Sequence, residues 1–267
     1  MRDFQPISKA RLKFLRKLLL KKGREEEGVF LAEGTRLVDE ALTSDWRIHD
    51  VCVTESFLEK ETNRNLAGLA RSSRAHLWIV RENQIGDISD TVTSQGIVAA
   101  VEMRTHALDL LFRNMPLRTT MVVLQDVADP GNVGTILRTC DWFGVNAVLC
   151  SGESVDLFNP KVVRASMGAL FHIPVIGKLD LHAIVALAHE HECKVYATTL
   201  KGGVPLTKFT PGTRSLFLFG SEGMGLQQDA IALADGCVTI PSYGKAESLN
   251  VAVAAGIILG ITRNAGA

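Results

Sequence analysis

The sequence predicts an α/β protein, with a mostly parallel sheet flanked by helices in its C-terminal part and a smaller α/β unit before it. Three observations predict this. The chain has 267 residues, 46% of them hydrophobic, a globular composition long enough for about two domains. From residue 120 onward strand-like and helix-like segments alternate, the rhythm of βαβ units. The strand-like segments there are continuous apolar runs rather than alternating ones, as strands buried on both faces require.

At the start, Leu12, Leu15, Leu18 and Leu19 recur at helical spacing behind Ser8, an N-cap residue type. The first 24 residues hold nine basic side chains against one acid, Asp3, although the whole chain balances 29 against 29. Lys13, Arg16, Lys17 and Lys21 fall on the side away from the leucines. A solvated helix face explains such a cluster, and so does a patch for a polyanion that releases counterions on binding. Short β-rich runs follow at 29–32, 51–54, 76–80 and 96–102, with helical segments around 35–42 and 59–70. Residues 103–119, containing Asn114-Met115-Pro116, read as a connection. The expected division is a domain at 1–103, a linker at 104–118 and a second domain at 119–267.

In the second domain strands are expected at 121–126, 147–150, 173–176, 194–199, 216–220 and 237–240, a six-stranded sheet. Helices are expected at 133–143, at 160–169 behind the cap Asn159, at 181–192, at 227–234, and from about 249 to 262. Ligands in such sheets bind outside the carboxyl ends of the strands.

Several classes are excluded by composition. The longest mostly apolar run, 251–261, is shorter than a membrane span and is broken by Gly256 and Gly260. The opening Met1-Arg2-Asp3-Phe4-Gln5-Pro6 lacks the apolar stretch of a secretory signal. Cys52, Cys140, Cys150, Cys193 and Cys237 are scattered and form no CxxC pair, so they read as reduced thiols of a cytoplasmic protein. His189 and His191 stand without a ligand pattern, and no metal is expected.

Three strand ends carry unusual sequences. The first is Gln125-Asp126-Val127-Ala128-Asp129-Pro130-Gly131-Asn132-Val133-Gly134-Thr135-Ile136-Leu137-Arg138. Here Asn132 is expected to cap a helix that buries Val133, Ile136, Leu137, Cys140 and Phe143. Arg138 faces away from that stripe, where it can hold a phosphate or sugar hydroxyl. The second is Phe219-Gly220-Ser221-Glu222-Gly223-Met224-Gly225, whose glycines permit close backbone approach to a ligand. Its GxxGxG spacing is not the fingerprint of a dinucleotide loop, and no GxxxxGK[ST] loop occurs. The third runs from Ile240 through Pro241, Gly244, Ser248, Leu249 and Asn250 into an Ala/Gly-rich helix. Capping that helix accounts for Ser248 or Asn250 but not both.

Together these segments resemble the SpoU (TrmH-like) RNA 2′-O-ribose methyltransferases of the SPOUT superfamily. The pattern NxGxxxR, then FGSEGxG, then IPxxGxxESLNVAVAAGI matches that family's three motifs in order over about residues 119–264. The first hundred residues resemble the L30e-like substrate-binding domain of many members, on Val29-Phe30-Leu31-Ala32-Glu33-Gly34 and Thr93-Ser94-Gln95-Gly96-Ile97. The resemblance implies a deep trefoil knot in the C-terminal α/β domain and a homodimer. It also implies S-adenosylmethionine as methyl donor and RNA, above all 23S ribosomal RNA, as substrate. Catalytic roles would fall to Arg138, Asn132, Glu222, Ser248 and Asn250, and cofactor contacts to Thr198, Gly220, Ile240 and Leu249. In that context Lys13, Lys17 and Lys21 become candidates for RNA contact. Transfer RNA is the alternative substrate, and a non-catalytic RNA-binding protein of ribosome assembly the alternative role. A nicotinamide-dependent oxidoreductase has only the βα rhythm in its favour.

Overall fold

The computed structural model describes residues 3–265. Its first elements are β1 (Gln5–Pro6), α1 (Lys9–Lys17), α2 (Lys21–Glu27), β2 (Val29–Glu33), α3 (Thr35–Thr43) and β3 (Ile48–Val53). Then come α4 (Glu55–Glu59), α5 (Arg64–Ser72), β4 (His76–Ile79), α6 (Glu82–Gly86) and β5 (Ile97–Glu102). The chain continues with α7 (Leu108–Arg113), β6 (Thr119–Gln125), α8 (Pro130–Trp142), β7 (Ala147–Ser151), α9 (Pro160–Ser166) and β8 (Val175–Leu179). It closes with α10 (Leu181–Glu190), β9 (Lys194–Thr198), β10 (Val204–Pro205), β11 (Arg214–Phe219), α11 (Gln228–Ala232), β12 (Gly236–Thr239) and α12 (Val251–Ala265).

Two compact units result. One comprises the chain up to Arg104 together with Phe158–His172, the other Thr105–Leu157 with the chain from Ile173 onward. The first holds a five-stranded sheet of order β1-β4-β3-β5-β2, with β5 antiparallel to both β2 and β3. Ser8 caps α1 by accepting the Arg11 amide at 3.1 Å. Leu12 and Leu15 from that helix, and Leu18 just past its end, pack with Val29, Leu31, Cys52 and Val98 of the sheet.

Assignment of Phe158–His172 to this unit departs from the division expected at 104–118, and aromatic packing explains it. The Phe158 and Phe171 rings lie 5.0 and 6.2 Å from Phe30 on β2. Arg164 pairs with Asp90 at 2.9 Å, and Arg36 Nε donates to the Met167 carbonyl at 3.2 Å.

The second unit is built on a fully parallel seven-stranded sheet of order β10-β12-β9-β11-β6-β7-β8. The strand beyond the expected six is β10, two residues long and too short to leave a periodic signal. Residues expected as a linker contain α7, whose Leu108, Leu111 and Phe112 join the core formed by Met121, Leu149, Ile184 and Leu218. An apolar stripe at i, i+3, i+4 therefore makes this segment part of the unit rather than a tether. On the sheet's other flank α8 and α12 pack together. A Cβ on Gly260 would stand 3.2 Å from Phe143 Cζ, and one on Gly256 3.7 Å from Thr139 Cγ2. Gly260 thus leaves room for the Phe143 ring against α12.

Among the described residues no helix is long and apolar enough to cross a membrane. Cys52, Cys140, Cys150 and Cys193 are buried free thiols, and burial pushes Cys150 and Cys193 up to about 12.

Candidate active site

Because every strand of the second sheet runs the same way, the segments after β6, β9, β11 and β12 emerge at one end. Order in the sheet makes β12, β9 and β11 adjacent. Thr198, Gly220 and Ile240 therefore stand at or just past three neighbouring strand ends. Thr198 Oγ1 donates to the Leu218 carbonyl at 2.8 Å, and the Thr199 amide to the Val238 carbonyl at 2.9 Å, which fixes these ends to one another.

The turn after β6 differs from expectation in one respect. Asp129, not Asn132, caps α8, its carboxylate accepting the Asn132 amide at 2.8 Å with Pro130 at the first helical position. A proline there costs nothing, since its missing N–H would lack a helical partner anyway. The consequence is functional: the Asn132 side chain is released from capping and reaches across the site.

Asn132 Nδ2 donates to Glu222 in the glycine loop, and Asn250 Nδ2 donates to Asn132 Oδ1 at 2.9 Å. One hydrogen-bonded chain, Glu222–Asn132–Asn250, thus joins all three unusual segments. Asn250 has a second task, its Oδ1 capping α12 by accepting the Ala252 and Val253 amides at 2.9 and 3.2 Å. Ser248 is exposed and makes no hydrogen bond among the described residues.

The glycine loop folds back on itself. Gly225, at φ +66°, donates its amide to the Ser221 carbonyl at 2.9 Å. A Cβ on Gly220 would lie 2.1 Å from the Gly225 carbonyl carbon, whereas Gly223 and Gly244 face open space. Among the described residues the amides of Gly220, Ile240 and Leu249 have no hydrogen-bond partner. Free backbone amides beside the apolar side chains of Ile240 and Leu249 suit a planar heterocycle carrying an amphipathic tail, as an adenosyl group is.

Arg138 lies six residues beyond Asn132, about 9 Å along the helix. It is exposed and has no hydrogen bond or ion pair among the described residues. It touches neither Asn132 nor Glu222 through a hydrogen bond, so its guanidinium is free for an incoming anion. Among the described residues no three His, Cys, Asp or Glu side chains gather to hold a metal ion.

Residues 119–260 match the model of the SpoU rRNA methylase family, and residues 9–99 that of the MRM3-like substrate-binding domain. The chain belongs to the SpoU rRNA methylase family. Among its relatives is the 23S rRNA (guanosine(2553)-2′-O)-methyltransferase RlmP of Bacillus subtilis, 31% identical and aligned over 97% of this chain and 98% of the relative. A 23S rRNA (uridine(2479)-2′-O)-methyltransferase of Streptomyces viridochromogenes is 30% identical over 88% of this chain and 83% of its own. Among solved structures, the SpoU methyltransferase AviRb of that organism in complex with AdoMet superposes with a TM-score of 0.87 at 25% identity. It covers 96% of this chain and 98% of its own. An AdoMet-bound rRNA methyltransferase from Sinorhizobium meliloti gives 0.84 at 30% identity, covering 98% and 97%. Like other SpoU-family members the chain is an S-adenosylmethionine-dependent RNA methyltransferase.

The candidate RNA-contacting lysines divide into two kinds. Lys17 is held by Glu26 at 2.6 Å and Glu27 at 2.8 Å, and hydrogen bonds to Glu26, then Glu27, raise its pKa above the ordinary lysine value. Lys13 and Lys21 are exposed without a partner among the described residues. Arg11 and Arg16 on the same helix pair with Asp50 and Asp87. Much of the basic cluster is therefore already neutralised.

Proposed function

We propose that this chain transfers a methyl group from S-adenosylmethionine to a ribose 2′-hydroxyl of 23S ribosomal RNA. The single observation that carries the reading is the Glu222–Asn132–Asn250 chain, which ties the three family loops together beside an unpartnered arginine. Names of the relatives aligned over nearly the whole chain support the ribosomal substrate.

When bound, the sulfonium cofactor supplies an activated methyl group and leaves as a neutral thioether. Transfer to the 2′-oxygen would form an O–C bond at the expense of the S–C bond, and the hydroxyl proton would pass to solvent water. The protein's task is to hold oxygen, carbon and sulfur in line, a contribution on the order of 7–11 kcal/mol in well-oriented systems. Amides of Gly220, Ile240 and Leu249 would fix the cofactor, with Thr198 bracing the neighbouring strand end. Ser248 and Asn250 would shape the third loop against the ribose. A guanidinium with a pKa above about 12 hardly gives up its proton. Arg138 therefore binds the phosphate and stabilises the oxyanion as the proton departs, while Asn132 and Glu222 orient the ribose.

Arg138→Ala is expected to bind S-adenosylhomocysteine as the parent does and to lose at least ~10²-fold in turnover, the usual scale for one such group. Calorimetry with single-turnover methylation of an rRNA transcript checks this, and near-normal turnover would refute the assignment.

The same reading includes a homodimer, a trefoil knot and a cytoplasmic location. Supporting the dimer are Trp142, Val253 and Ile261 on the α8–α12 pair, exposed by 85%, 51% and 42%; exposed apolar surface of this kind marks interfaces. Trp142→Glu is expected to shift sedimentation toward the monomer and lower activity with it. A fully active monomeric parent would oppose the dimer. Supporting the knot is the match of residues 119–260 to the SpoU family model. The buried free thiols agree with a reducing compartment.

A further inference from the structure

A concave site lies at the end of the same sheet opposite the methyl-transfer loops. Where β6 and β11 begin, beside the last described turns of α12, a cleft of about 430 Å³ is lined by Arg118, Thr120, Thr213, Phe217 and Arg263 among others. Among the described residues no carboxylate lines it. Arg118 and Arg263 are exposed and lack any hydrogen bond or ion pair among the described residues, unlike Arg11, Arg16, Arg104 and Arg164, each of which has an acidic partner.

The frame around these guanidiniums is fixed. The Thr119 amide donates to the Thr213 carbonyl at 3.1 Å, and the Thr120 amide to Asn146 Oδ1 at 2.9 Å. The Gly212 amide donates to the Tyr196 hydroxyl at 3.1 Å, and Ser215 Oγ to the Gly212 carbonyl at 2.8 Å. Arg263 lies over Gly144, at φ +64°, where an added Cβ would sit 3.3 Å from its Nη2. The hydroxyls of Thr120 and Thr213 have no partner among the described residues and remain available as donors.

Two like charges in one cleft with no carboxylate among its described lining residues create a positive potential, and guanidinium forks match phosphate oxygens. A volume of this size exceeds what a lone ion needs and accommodates a nucleotide unit. We propose that this cleft holds a backbone phosphate of the substrate RNA. With β6 seven residues long, the cleft lies roughly 23 Å from the methyl-transfer loops at ~3.3 Å per residue. The bound RNA then extends several nucleotides beyond the methylated ribose.

This inference rests on the RNA-methylation reading, so its test has two arms. In the first, a labelled 23S rRNA transcript that the parent methylates is titrated with the parent and with Arg118→Ala/Arg263→Ala at several salt concentrations. The double variant is expected to bind RNA at least ~5-fold more weakly, with a log–log salt slope flatter by about 0.7–0.9 for each phosphate that is no longer neutralised. S-adenosylhomocysteine binding and melting temperature should stay as in the parent. Arg118→Lys/Arg263→Lys should keep the slope. An unchanged affinity and slope in the alanine variant overturns the proposal, even where the cleft takes up small anions. In the second arm, inorganic pyrophosphate is titrated calorimetrically into both proteins. Should the parent neither bind nor methylate rRNA, the functional reading fails, and this arm decides the cleft by itself. Saturable one-site binding by the parent that the alanine variant abolishes supports a phosphate site, and no binding by the parent overturns it.

Discussion

Gly220 and Gly223 share one loop yet face opposite demands. A side chain at 220 would collide with the Gly225 backbone at 2.1 Å, and no flexible group is there to yield; a side chain at 223 meets nothing within 4 Å. Gly220→Ala must therefore displace the turn that presents the loop's free amides. Its affinity for S-adenosylhomocysteine is expected to fall at least ~10-fold, about 1.4 kcal/mol. Gly223→Ala should bind within about twofold of the parent, and calorimetry on both variants checks the pair. Equal behaviour of the two would remove the steric account. Asn132 is as strictly determined. An ionised Glu222 only accepts hydrogen bonds, so the Asn132 NH₂ must face it and its carbonyl oxygen must face Asn250. An asparagine is the residue type that serves both neighbours at once.

At the level of elements, the cap of α8 shows where sequence reasoning stops. Asp129 and Asn132 are both good caps, and residue type alone does not separate them. Pro130 is the discriminating signal, because proline favours the first helical position and so points to the residue before it. Asp129→Ala is expected to cost about 1 kcal/mol, within the ~0.5–2 range for removal of a cap, and to lower Tm by roughly 2–4 °C. It should also raise KM, since the first turn of α8 carries Asn132, and thermal melts with steady-state kinetics test both effects. The long strands and amphipathic helices are legible because burial repeats over many residues. β1 and β10, two residues each, are not, because pairing of that length leaves no period. The glycine loop and the Asn250 segment are legible from residue types, while the hydrogen bonds joining them across 118 and 90 positions of sequence depend on strand order, which no local pattern encodes.

At the scale of the molecule, a neutral total charge conceals how little of the N-terminal cationic cluster is free. Sequence shows the cluster but not the carboxylates that fold onto it: Asp50 and Asp87 arrive from distant elements, and Glu26 and Glu27 from the next helix. The same blindness to distant partners hides the membership of Phe158–His172 in the first unit, which follows from rings meeting Phe30. For RNA binding the distinction is quantitative. A cation already paired contributes little to counterion release from phosphate, whereas a free one contributes about 0.7–0.9 to the salt slope. Lys13→Ala/Lys21→Ala is therefore expected to raise the KM for RNA and flatten its salt dependence by up to about 1.8, with turnover at saturating RNA unchanged. Lys17→Ala should leave that slope where it was, since Glu26 and Glu27 already hold its ammonium. Methylation kinetics across a salt series separate the three lysines. A slope that responds to Lys17 and ignores Lys13 and Lys21 would return α1 to the role of a solvated surface helix.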